Sequence, residues 1–221
     1  MPRVAIEIYV NPDIRSIIDK VIEDLKLQNR LFNTIPIRVH SGSVASDIFY
    51  AENEISRSNG EEIFSITISN VTPKNIVEDV LNIELHKAIL YFTNDAVKAF
   101  RWYAGKIFYN EIESIIERSI YARLVDTVEN KAVVETNPKL SKSFLKVFIE
   151  NEVHDNTLDY MLSQVMLLPI ISKEYVTKEP DEEEALAYVL ATYGEEILRK
   201  PTKEKGAQIA KELLYLTKSI L

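Results

Sequence analysis

Chemistry needs side chains that bind a metal, move a proton or attack an electrophile, and this sequence of 221 residues is sparing with them. It has no cysteine, which excludes thiolate metal sites, disulfides, iron–sulfur clusters and a thiol nucleophile. Of its three histidines, His40 closes a predicted strand beside Ser41 and Ser43, and His154 stands in a polar Glu-Val-His-Asp-Asn connection. No Gly-x-Ser-x-Gly elbow accompanies them to make a serine nucleophile. With 5 glycines in all, phosphate-cradling loops of the Rossmann or P-loop kind are absent. Acids and one lysine remain. Glu84 and Lys87 stand at i, i+3 in Ile-Glu-Leu-His-Lys, residues 83–87, and Glu111, Glu113 and Glu117 fall in NEIESIIERSIYA, residues 110–122. On a helix Glu84 and Lys87 share a face and can form an ion pair, in the simplest reading one at the surface. His86 is turned about 200° from Glu84, so the two cannot share one metal.

The elements that would position these residues follow from hydrophobic period and caps. Residues 4–10 alternate apolar and polar, as a half-buried strand does. Asn11-Pro12-Asp13 then opens a helix carrying the stripe Ile14, Ile17, Ile18, Val21 and Leu25. Further strands are expected at 35–40, 47–52 and 62–69, with a Ser-Asn-Gly turn at 58–60. Thr72-Pro73 opens a helix through about Tyr91 that holds Glu84 and Lys87. From there the pattern is helical: a short helix from Asn94 or Asp95 to about Phe100, a break at Tyr103-Ala104-Gly105, and a long helix over 106–128. Asn137-Pro138 opens the next helix, Asp155 to Thr157 starts one that Pro169 interrupts, Pro180-Asp181 begins another, and Thr202 caps the last. Strands first and helices afterwards argue for an α+β fold: a small, largely antiparallel sheet packed by helices in the N-terminal part, 1–130, then an all-helical part, 131–221. The polar stretch at 130–137 marks the boundary between these parts of one domain with a continuous core.

Charge narrows the partners. There are 26 basic and 34 acidic residues, a net charge of −8, which is unsuited to neutralising phosphates or docking on an anionic membrane. The longest apolar run, residues 166–171, is far too short to span a bilayer, and no signal-peptide core opens the sequence. The expectation is a cytoplasmic protein that binds neither nucleic acid nor membrane, holds no cofactor, and meets a protein partner or its own copies. The composition, rich in Ile, Glu and Lys, is of a thermophile-like or AT-rich kind. The aromatics of Phe100-Arg101-Trp102-Tyr103 and of residues 103–109 are read as core or interface anchors.

One stretch resembles a family. EIFSITISNVTPKNIVEDVLNIELHKAILYF, residues 62–92, is similar to the active-site helix of the HExxH zinc metallopeptidases of the gluzincin type, with its preceding strand and cap. In that family the helix follows an edge strand, two histidines one turn apart bind zinc, and the glutamate between them is the general base. The His-Glu-Leu-x-His pattern falls on Ile83 to Lys87. Glu84 and Leu85 match, as do the following Ala88, Tyr91 and Phe92, but Ile83 and Lys87 stand where both zinc ligands would be. Ile83 offers no lone pair, and the Lys87 ammonium repels a divalent cation. The resemblance also implies a third ligand from a downstream helix. Glu113 with Glu117 fits one register and Glu111 with Glu113 another. What it implies for the whole chain is a zincin-like protein without its metal site, acting as a non-catalytic structural or interaction module. In that protein Glu84, Lys87 and Glu113 would form a buried or semi-buried ion network. The alternatives are a divergent metal-dependent hydrolase using Glu84, His86 and a carboxylate from 111–117, or an unrelated α+β protein-binding module.

Overall fold

In the computed structural model residues 6–44, 50–58, 60–150, 165, 167 and 182–220 are described. They divide into two compact units, Met1–Ile89 with Lys142–Glu152, and Leu90–Ser141 with Val153–Leu221. The fold is α+β, with strands in the N-terminal third and helices after it.

The first unit is built on four strands: β1 (Glu7–Tyr9), β2 (Ile37–Gly42), β3 (Ala51–Ser58) and β4 (Glu61–Ser69), ordered β1-β2-β4-β3. Helix α1 (Pro12–Gln28) crosses from β1 to β2, and such a crossover returns the chain parallel. β1 pairs parallel with β2 and β2 parallel with β4; only the β3–β4 hairpin, turned at Gly60 with φ +83°, is antiparallel. The expected largely antiparallel sheet is thus corrected to a mixed one. The strand–helix–strand alternation of the first 42 residues outweighs the overall order of strands before helices. Register places Ile8, Val39, Ile66 and Asn53 in one row across the sheet, on the same face as Ile37, Phe64, Ile68 and Ala51. Ile37, Val39, Ala51, Phe64, Ile66 and Ile68 on that face are buried, and Ile8 and Asn53 partly so. The opposite face carries Glu7 paired with Arg38 at 2.6 Å, and Tyr9 stacked on His40.

A 3₁₀ turn, Lys74–Ile76, leads into α2 (Val77–Thr93), which follows β4, an inner strand of the sheet, and not an edge strand. Helix α5 (Leu140–Glu150) returns to this unit: Ser143 Oγ and Lys146 Nζ donate to the two oxygens of Asp79 at 2.8 and 2.6 Å.

The second unit is helical: α3 (Asp95–Asn110), α4 (Ile115–Thr136), α6 (Glu182–Arg199) and α7 (Lys203–Ile220). Asn94 caps α3 through the amides of Ala96 and Val97. The expected break at 103–105 does not occur. The chain breaks instead at 111–114, between α3 and α4, so no single helix covers 106–128. Nor is 130–137 a linker, since these residues are the last turns of α4, buried on all sides from Thr127 to Val134. α3 and α7 touch backbone to backbone at Gly206, where a Cβ would lie 2.2 Å from the Ala96 carbonyl oxygen. The helix expected to start at 155–157 and break at Pro169 lies outside the described residues, apart from Val165 and Leu167.

Candidate functional site

Helix α2 is apolar on nearly every side, with Val77, Val80, Leu81, Ile83, Leu85 and Ala88 all buried. Into this environment it carries two opposite charges. Glu84 is 2% exposed and Lys87 4%, and Lys87 Nζ lies 2.9 Å from Glu84 Oε1. The i, i+3 spacing brings them together on one helix face, as the sequence predicts, but inside the protein and not at its surface. The other carboxylate oxygen, Oε2, accepts a hydrogen bond from Asn53 Nδ2 on β3. Asn53 reaches it from the apolar face of the sheet. A carboxylate taken out of water costs several kcal/mol unless it is paired and hydrogen-bonded, and here both oxygens are engaged.

Asn53 was not legible as a site residue. Its signal was a polar residue sitting in phase with Ala51 and Ile55 on an alternating strand. His86 stands apart from the pair: its Nδ1 donates to the Asn82 carbonyl at 2.8 Å. Burial holds its pKa below the usual imidazole value, against the opposing pull of that hydrogen bond.

The three downstream acids are placed differently from the expectation. Glu111 ends α3, its N–H bonded to the Ile107 carbonyl, and is exposed. Glu113 is exposed in the connection between α3 and α4 and enters no ion pair among the described residues. Beside the Glu84–Lys87 pair stands Asn53. Glu117 lies in the first turn of α4, where Ser114 Oγ accepts from its N–H.

The zinc that the resemblance implies does not fit these residues. Ile83, 3% exposed, is an apolar core side chain, and at position 87 an ammonium already occupies the carboxylate. Among the described residues no three His, Asp or Glu side chains gather as a metal site requires. A cavity of about 300 Å³ in the same unit is lined by Asn11, Asp13, Ser69, Asn70, Thr72 and Lys74, and holds neither Glu84 nor Lys87. No described helix is long and apolar enough to cross a membrane. No family model matches this sequence, and neither does any curated protein or solved structure.

Proposed function

We propose that this chain is a zincin-like scaffold that works without metal or catalysis, as a structural or interaction module, with Lys87 supplying the positive charge that zinc supplies in the metallopeptidases. The observation that carries the reading is the Glu84–Lys87 pair. The position matched to the general base keeps its glutamate, deeply buried. The position matched to the second ligand holds the cation that keeps that glutamate compensated. The order of elements supports it too: helix, strands, the α2 helix, then acid-bearing helices. A general base must reach a water or substrate, whereas both oxygens of Glu84 are taken up by Lys87 and Asn53. A net charge of −8 and the lack of cysteine fit a cytoplasmic setting with a protein partner and not a nucleic acid.

The test is a peptidase assay on the full chain with a mixed peptide library, with and without added zinc. No cleavage is expected in either condition. Zinc-dependent cleavage that disappears in Glu84→Gln would overturn the reading in favour of a divergent metal hydrolase.

A further inference from the structure

Four of the large apolar side chains that stand in water belong to α3 and the start of α4. On α3, Trp102 and Tyr109 are 59% and 75% exposed; in the first turn of α4, Ile115 and Ile116 are 84% and 56% exposed. Trp102, Lys106 and Tyr109 follow at i, i+4, i+7 on one helix face, with the Lys106 ammonium 5.8 Å from the Trp102 ring centre. The isoleucines do not ride on a slack loop. Ile112 beside them is buried, and its carbonyl accepts from Arg118 Nε at 2.8 Å. The Arg118 guanidinium in turn lies over the Phe108 ring at 5.6 Å. Ser114 caps the helix, so folding gains little from two exposed β-branched residues directly after the cap. Apolar area held rigidly in water on such a corner marks an interaction surface.

Charge selects the occupant. Glu111 and Glu113 are exposed in the connection and Glu117 follows one turn later, so carboxylates flank the isoleucines in a chain of net charge −8. A second copy docking by two-fold symmetry would set these carboxylates against their own kind, and an anionic membrane would be repelled. We propose that the α3–α4 corner docks an amphipathic segment of another protein, whose apolar side chains are flanked by lysine or arginine. The apolar side chains meet Ile115, Ile116 and Tyr109, and the cations meet Glu111, Glu113 and Glu117. The proposal gives a partner chemistry to the interaction-module reading, on which it rests, but uses none of the residues around Glu84.

Trp102 is the only tryptophan and shares a face of α3 with Tyr109, so its emission reports on a segment lying along that face. The full chain is titrated with a helical Leu/Lys peptide, with a Leu/Glu peptide of the same pattern, and with vesicles of phosphatidylcholine and phosphatidylserine. A saturable blue shift is expected with the Leu/Lys peptide alone. Ile115→Ser with Ile116→Ser should weaken it at least about tenfold, and Glu113→Gln about threefold. Both sites are exposed, and a circular dichroism spectrum verifies that the variants fold. The proposal is overturned by no shift, or by a shift that the serine pair leaves unchanged, which would be mere attraction to an acidic chain. It is equally overturned by an equal response to vesicles, or by a dimer that the serine pair abolishes. The peptidase and Lys87 experiments keep their own outcomes whichever way this one falls.

Discussion

Helix α2 buries Glu84 and Lys87 against each other, while α4 buries Glu129, Asn130 and Lys131, and two of these charges also reach other helices. In α2 the pair is local, and an amide from β3 bonds the other carboxylate oxygen. In α4 Glu129 pairs with Arg101 of α3, and Lys131 pairs with Glu135 at 2.5 Å and approaches Glu195 of α6 at 3.9 Å. The satisfaction differs as well. Glu84 has both oxygens bonded, whereas Glu129 Oε2 and both polar atoms of the fully buried Asn130 have no hydrogen-bond partner among the described residues. The Glu84 carboxylate is met from its own helix and from one strand. Charges spread between helices fix which helices neighbour which, and tolerate gaps in return.

Substitutions at four positions should distinguish the two helices. The largest effect is expected at Arg101→Met, which strands the Glu129 carboxylate with neither oxygen bonded, at about 5 kcal/mol. Lys87→Met leaves Glu84 its bond from Asn53 and should cost about 3 kcal/mol. Midpoints in denaturant measure both. A Lys87→Met protein as stable as the parent would remove the charge-replacement idea, and a Lys87→Met cost above that of Arg101→Met would reverse the contrast. At Asn130→Leu the sign changes: replacing unpaired polar atoms by an apolar side chain of similar volume should raise stability by about 1 kcal/mol. A loss there would mean that Asn130 has partners after all.

The smallest effect is one of pH, and it belongs to α2, whose His86 is largely buried while α4 has no histidine. Burial lowers the folded pKa below 6.5, so the unfolded chain binds more protons once pH falls under that value. Stability from this group is therefore complete above about 6.5 and is lost as pH falls toward the folded pKa. Thermal unfolding of the parent and of His86→Gln between pH 7.5 and 5 should diverge at the acid end, with the parent losing more. Parallel curves would rule this contribution out.

How far these features could be read from residues alone depends on whether their cause is local. Asn11-Pro12 and Thr72-Pro73 announce α1 and the approach to α2 because a cap and a fixed proline φ act over a few residues. The meeting of Glu84 and Lys87 is legible for the same reason, as helical spacing sets it. Their burial follows from the spacing in no such way, since it depends on what packs around α2; only the family resemblance pointed to it. Gly105 looked like a break, yet nothing crowds it and α3 continues through it. The polar stretch at 130–137 reads as a boundary because partners of its start, such as Glu195 for Lys131, lie far off in the sequence. Parallel pairing of β1, β2 and β4, and the approach of Asn53 to Glu84, are likewise products of distant chain.

The first unit is made from two separate stretches of chain, with residues 90–141 between them belonging to the other. A ribosome therefore releases β4 and α2 well before it delivers α5. Until then Asp79 lacks the Ser143 hydroxyl and the Lys146 ammonium, the Asn75 carbonyl lacks that same ammonium, and Tyr50 has no Glu150 carbonyl to donate to. At the usual pace of several residues per second, the sheet waits several seconds for its last helix, a window in which a nascent-chain chaperone would find it unfinished. For the same reason no single cut in the backbone yields either unit as one uninterrupted fragment.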